Sequence, residues 1–167
     1  MAEKNQEVES IESDSMEGRY LTFVLAEEGY GLEIRYVTEI IGIQQVTGIP
    51  DMPHHVIGVL NLRGKVIPII DVRMRFHLEE RAYDDRTCII VVDVEDNSVG
   101  LVVDKVSEVV DIPLSEIEPA PLSGTKSANV HIRGLGKIGD QVKILLDIER
   151  LIQDEDLSEI DTEDAVA

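Results

Sequence analysis

The sequence predicts a mainly β protein made of two small, related barrels that share a hydrophobic interface, with only short helical turns. Three observations point there. Apolar residues make up 43% of the chain while aromatics make up 4% and Trp is absent, so the core has to be built from Val, Ile and Leu, side chains that suit a pleated surface. The apolar runs are short and are punctuated by turns carrying Gly, Asp or Asn. The order of these runs then repeats, which marks a duplicated unit.

Ordered structure is expected from Arg19. Residues 20–25 are β-rich and partly alternating, Glu27-Glu28-Gly29 reads as a turn, and residues 30–34 resume as the second strand of a hairpin. Ile34, Val37, Ile40 and Ile41 fall at three- and four-residue spacings, which predicts one helical turn on a barrel wall, with Val37 and Ile40 in the core. Residues 43–47 are expected to return to strand. Pro50 and Pro53 make residues 50–53 a loop, because Pro suits neither a helix interior nor a central strand. The strongest pattern covers residues 56–72, two apolar strands around Arg63-Gly64, where Gly64 supplies the positive φ of a tight hairpin. Pro68 cannot donate to a ladder, so its strand is expected at an edge or with a bulge. Residues 73–78 predict a short helical exit and residues 79–86 a polar connector.

The pattern then restarts. Strands at 87–92 and 99–103 flank a turn at 93–98, strands at 132–136 and 141–146 flank Lys137-Ile138-Gly139-Asp140, and residues 147–152 resemble the end of the first half. Placing residues 30–41 over 99–110, an offset of 69, matches Gly, Leu, Val and Glu at four positions and exchanges mostly Ile for Val elsewhere. Placing residues 66–72 over 142–148, an offset of 76, sets Asp71 on Asp147. The halves are about 19–80 and 86–152, each roughly 65 residues, a size at which a lone core is marginal. The copies are therefore expected to pack on one another and to leave a cleft suited to a partner.

The net charge of −19 is unevenly spread. Residues 1–18 carry six acids against Lys4, and residues 153–167 carry seven acids and no base; both read as solvated, disordered acidic tails. The domain between them, residues 19–152, holds 21 acids and 14 bases. An acidic body argues against binding nucleic acid or an anionic membrane. The N-terminus has no signal-peptide pattern, no apolar run nears the ~20 residues of a membrane span, and the single cysteine rules out an internal disulfide, so the expected compartment is the cytoplasm.

Reactive constellations are not expected, and no residue has the setting of a catalytic, cofactor-binding or metal-binding group. Adjacent His54 and His55 would point to opposite faces of a strand and chelate poorly, so they read as solvated loop histidines, while His77 and His131 stand alone. Cys88 lies in an apolar run and reads as a small buried hydrophobe. Interaction candidates remain. Arg63 at the hairpin tip is either a solubilising turn cation or a partner anchor offering five donors and a flat face. Glu39 and Glu108 recur at equivalent places, and Glu39 is expected to pair with Arg63.

The stretch from Gly58 to Arg73, with Asn61-Leu62-Arg63-Gly64 in its apolar frame, resembles the signature of the CheW family of chemotaxis coupling proteins. Residues 37–40, 99–109 and Leu135-Gly136-Lys137 are similar to further family stretches in the same order, and the resemblance covers residues 19–152. It implies two SH3-like barrels and a non-catalytic adaptor that joins the cytoplasmic tips of chemoreceptors to the regulatory domain of the histidine kinase CheA, recruited through receptors to the inner face of the membrane. That domain looks like this protein, so the two are expected to alternate in rings within receptor arrays. By motif position, receptor contact falls on Val37, Glu39, Gly58, Arg63 and Val109, while kinase contacts cannot be assigned to residues. The alternatives are a coupling protein of a related receptor–kinase pathway such as twitching motility, the coupling module of a larger protein, and a nucleic-acid-binding barrel, which the acidic body disfavours.

Overall fold

A computed structural model describes residues 17–120 and 131–152. Apart from residues 17 and 18, the acidic tails expected at 1–18 and 153–167 lie outside the described residues. The first copy runs β1 (Arg19–Leu25), β2 (Glu28–Glu33), a 3-10 turn η1 (Ile34–Tyr36), β3 (Val37–Gly42), β4 (Val56–Leu62), β5 (Lys65–Asp71) and α1 (Val72–Arg75). The second runs β6 (Cys88–Val94), β7 (Asn97–Val103), β8 (Lys105–Asp111), η2 (Leu114–Glu116), β9 (Ile117–Glu118), β10 (Ile132–Ile138), β11 (Gln141–Leu146) and α2 (Ile148–Ile152). The chain is mainly β with short helical turns, as its sequence predicts.

The strands form two sheets, ordered β8-β1-β2-β11-β10-β9 and β3-β6-β7-β5-β4. Matching the copies element by element converts one order into the other. Each sheet therefore takes a leading hairpin from one copy and its remaining strands from the other: β3, β4 and β5 join β6-β7, and β8, β9, β10 and β11 join β1-β2. The duplicated halves of the sequence exchange their first hairpins, so neither sheet belongs to one half. The joints are parallel and equivalent: Ile69 faces Gly100 where β5 meets β7, and Leu145 faces Gly31 where β11 meets β2.

This joint explains the glycine that recurs in both copies. A Cβ on Gly100 would lie 2.5 Å from Ile69 Cδ1 and 2.8 Å from Ile89 Cγ2, so the strand from the other copy packs where a side chain would stand. Gly100→Ala is expected to cost about 1–3 kcal/mol through overpacking, read as a lower urea midpoint with an unchanged slope; an unaltered midpoint would mean the joint relaxes freely.

The central core lies between the sheets. Leu21, Phe23, Leu25, Tyr30, Leu32 and Leu146 from one meet Ile70, Ile90, Val92, Leu101 and Val103 from the other, closed by Val72 of α1 and Ile148 and Leu151 of α2. The expected shared hydrophobic interface is thus the largest part of the core. Smaller clusters serve each sheet alone, one around Ile67, Ile69, Ile89 and Val102 and one around Tyr20, Ile112 and Leu145. Each sheet also curls until its ends meet. Thr47, just beyond edge strand β3, exchanges two 2.9 Å backbone hydrogen bonds with Val59 on the opposite edge strand β4, and β9 pairs with β10 in the same way.

Several local expectations need correction. The helical turn predicted over Ile34, Val37, Ile40 and Ile41 stops at Tyr36, and Val37–Gly42 is a strand paired to β6. Its run of β-branched residues fits the pleat better than a helix. Val37, Glu39 and Ile41 are half-buried, Val37 against the central core and Ile41 against the cluster around Ile89 and Val91, while Ile40 is not core but 43% exposed. Residues 43–47 form no strand beyond the Thr47 bridge. The first hairpin turns at Ala26-Glu27, both at positive φ, and β2 already starts at Glu28. His55 is buried rather than solvated: its carbonyl accepts the Asp71 N–H at 2.8 Å, as that of buried His131 does for Asp147. Cys88 is only half-buried, at the margin of the central core. Pro68 lies in a strand with partners on both sides, β4 and β7. Val59, opposite Pro68, turns its N–H and C=O to Thr47, so the missing Pro68 donor faces away from β4, and pairing with β7 begins one residue later at Ile69.

Candidate functional site

The β4–β5 hairpin turns on two residues, Arg63 at φ 53° and Gly64 at φ 87°, the pattern of a type I′ turn. Asn61 Oδ1 accepts the Gly64 N–H at 2.9 Å and fixes the tip. Arg63 is a non-glycine residue in the left-handed region, so the tip holds a strained residue whose side chain projects outward. That side chain is 83% exposed, and its Nη2 donates to Glu39 Oε2 at 2.7 Å. The pair expected from the sequence is present. It reaches from the hairpin to β3 at the other end of the sheet order, so it ties the two ends of the curled sheet at their rim.

Val37 opens β3 opposite Val92 and rests half-buried against the central core. Between Val37 and Glu39 the register with β6 shifts, and Thr38 Oγ1 donates to the Val91 carbonyl at 3.1 Å. Edge strand β3 thus offers Glu39 at the ion pair and exposed Ile40 beside it. Gly58 is buried in β4 and faces the Thr47 backbone. The structure gives it a reason of its own: its φ is +152°, and a Cβ there would stand 2.2 Å from Thr47 O. Val109 lies on the other sheet, on edge strand β8 opposite Leu21, and is 50% exposed. It is the second-copy equivalent of Ile40. The structure therefore joins Glu39 and Arg63 directly, puts Val37 on the same strand and Gly58 behind the hairpin, and leaves Val109 on the other sheet's edge.

Glu108, the repeat partner of Glu39, has Gly139 where Arg63 stands in the first copy, so the ion pair is peculiar to one sheet. Its backbone is held instead by Thr22, whose Oγ1 donates to Glu108 O at 2.7 Å. Sequence reading passed over two side-chain networks at the points where the chain crosses between sheets. In one, Asp104 takes two hydrogen bonds from Arg73, at 2.6 and 2.7 Å, and a third from the Ala26 N–H. Burial alone would raise the Asp104 carboxyl, but the Arg73 hydrogen bonds, the Ala26 N–H and the Arg73 and Arg81 charges hold it below the usual carboxylate range. The other network joins Arg35, Tyr36 and Glu149. Laying the copies over each other at both offsets would have shown these residues as matched pairs.

An arginine-tipped hairpin is thus clasped to edge strand β3, and apolar side chains are exposed on edge strands β3 and β8. Among the described residues no group of three or more His, Cys, Asp and Glu is placed to hold a metal, and no helix is long and apolar enough to cross a membrane. The family profile described as CheW-like domain matches residues 19–156. The chain is 38% identical to the chemotaxis protein CheW of Klebsiella aerogenes, over 92% of this chain and 93% of that one. It is 33% identical to the Treponema pallidum protein of the same name, over 84% and 85%. The crystal structure of the scaffolding protein TtCheW from Thermoanaerobacter tengcongensis superposes with a TM-score of 0.76 at 35% identity, covering 83% of this chain and 94% of that one. The chain belongs to the CheW-like family.

Proposed function

We propose that the protein is a non-catalytic cytoplasmic adaptor that couples chemoreceptors to the histidine kinase CheA, and that the receptor tip docks along β3 and the β4–β5 hairpin. The observation that carries this reading is the Glu39–Arg63 pair. It holds a mostly exposed guanidinium in one orientation beside an edge strand that presents Ile40. A receptor tip is a helical hairpin, and one apolar stripe of it suits such a surface, with Arg63 setting its orientation at the rim. Val37 and Gly58 then support the surface from below, and Val109 extends contact to the other sheet. Membership of the CheW-like family and likeness to a protein described as a scaffold support the adaptor role.

The test is a binding assay with purified CheA and receptor cytoplasmic fragments, comparing wild type, Arg63→Ala and Val37→Ala. An exposed ion pair contributes about 0–1 kcal/mol to stability, so Arg63→Ala is expected to keep its fold and melting temperature. Receptor affinity is expected to fall about tenfold or more, the effect of losing an arginine anchor, with CheA binding retained. Unchanged receptor affinity in both variants would overturn the site. Failure of the wild type to bind either partner would overturn the adaptor reading. In a double-mutant cycle with Glu39→Gln, coupling near zero would separate Glu39 from the action of Arg63.

A further inference from the structure

The chain crosses from one sheet to the other twice in equivalent places, from β2 through η1 into β3 and from β7 past Asp104 into β8. The repeat offsets place Arg35 on Asp104 and Arg73 on Glu149. Each crossing thus carries one charged residue, and the helix that faces it carries the opposite charge, with the signs reversed between copies. Both helices are firm anchors, since Val72 of α1 and Ile148 and Leu151 of α2 are buried in the central core.

The two clasps differ in construction. Asp104 and Arg73 meet directly, and their side chains are only 9% and 12% exposed. Arg35 and Glu149 meet through a tyrosine. Arg35 Nη2 donates to Tyr36 Oη at 2.8 Å, and Tyr36 Oη donates to Glu149 Oε1 at 2.6 Å. The guanidinium also lies 4.7 Å from the centroid of the Tyr36 ring, and Arg35 Nε donates to Glu33 Oε2 at 2.6 Å. Arg133 on β10 forms an ion pair with the other oxygen of Glu33. The Arg35 side chain is 52% exposed. Tyr36 is the last residue before β3.

We propose that Tyr36 and Glu149 are positioning residues for β3: the relay from Arg35 through the Tyr36 hydroxyl to α2 sets where the chain leaves the first sheet and enters the second as this edge strand, and is the looser of the two inter-sheet clasps. β8 is fixed by a buried bidentate pair, whereas β3 is fixed by a solvent-facing chain of single hydrogen bonds that opens at lower cost. Burial first, and then the hydrogen bond to Glu149, push the Tyr36 hydroxyl up to about 12, so it remains a donor at neutral pH. The consequence for receptor binding rests on the reading of β3 as the receptor-contacting edge.

The experiment is amide hydrogen exchange on the free protein. Tyr36→Phe keeps the ring beneath Arg35 and removes the hydroxyl link. Exchange across β3 is expected to rise about two- to fivefold while β8 is unchanged. Glu149→Ala breaks the same link from the other end and should give the same pattern. Because both act through one chain of contacts, the double variant should add little to either single one. No change at β3, an equal rise in β3 and β8, or effects that multiply in the double variant would each overturn the relay. Receptor affinity is then measured on Tyr36→Phe. A change confined to β3 that leaves receptor affinity untouched would keep the relay and overturn β3 as the receptor edge.

Discussion

Asp104→Ala is expected to lower the unfolding free energy by about 3–5 kcal/mol, the cost of breaking a buried ion pair and leaving one charge uncompensated. The Arg73 guanidinium would keep a hydrogen bond to the Glu79 carbonyl but lose both bonds to the carboxylate, and the Ala26 N–H would lose its acceptor. Urea unfolding measures the loss. The repeat supplies an internal control, because Arg35→Ala removes the equivalent residue at the other crossing, where the clasp faces solvent. There the expected loss is about 0–1 kcal/mol. Equal losses would show that burial is not what gives the Asp104 clasp its strength. The carboxyl also predicts a pH dependence. Its native pKa is lower than its unfolded one, so the ionised group adds stability above the ordinary carboxylate range and loses it as pH falls through the lowered native value. Wild type should therefore shed an increment of stability below about pH 4 that Asp104→Asn lacks; parallel pH profiles for the two proteins would refute the assignment.

The repeat was legible because it sits in residues that do the same work twice. Gly31 and Gly100 recur because each faces a strand from the other copy, and Asp71 and Asp147 recur because each caps its short helix, accepting the N–H of Met74 at 3.3 Å and of Arg150 at 3.1 Å. The exchange of hairpins was not legible. Local pattern fixes which residues form a strand and which face is apolar, but β1 and β6 present nearly the same inward faces, so either copy could serve either sheet. The pairings between copies decide the partner, parallel for β5 on β7 and β11 on β2 and antiparallel for β1 on β8 and β3 on β6, and these are contacts between residues far apart in sequence.

The site was legible in part for a similar reason. Arg63-Gly64 announces itself as a tight turn, and a carboxylate recurring at Glu39 and Glu108 suggests a cation nearby; the structure joins Arg63 to Glu39. Ile40 was misread because its three-residue spacing from Val37 imitates a helix face, while a register shift in the pairing to β6 sets Val37 and Ile40 on one face of β3, where Val37 packs against the central core and Ile40 stays exposed. The crossing clasps escaped because a reversed charge pair scores as a mismatch when two copies are compared for identity. Compared for complementarity, Arg35 with Glu149 and Asp104 with Arg73 are the same device. Duplication explains how the reversal could persist: each crossing needs only that its own helix carry the opposite sign.

Gly58→Ala is the second variant expected to have a large effect, about 2–5 kcal/mol of lost stability. Two costs add. The backbone at φ +152° is one that a side chain rarely adopts, and forcing a non-glycine residue there costs about 1–3 kcal/mol. The new Cβ would also stand 2.2 Å from Thr47 O and 2.7 Å from Thr47 C, which are backbone atoms with no flexible end to move. Separating them means breaking the two 2.9 Å hydrogen bonds between Thr47 and Val59, and with them the bridge that closes the sheet beneath the Arg63 hairpin. The register shift between Val56 and Gly58 marks the place where β4 bends to make this approach, and Gly134 repeats it in the second copy, where a Cβ would stand 2.7 Å from Glu118 O. On the proposed docking of a receptor at the β4–β5 hairpin, Gly58 would contribute through the hairpin it supports rather than by touching the receptor. The variant should therefore lose receptor binding in step with its loss of folded protein and of protection at Val59, measured by urea unfolding and amide exchange. A stable Gly58→Ala protein with Val59 still protected, yet unable to bind receptor, would reverse that conclusion and make Gly58 a contact residue.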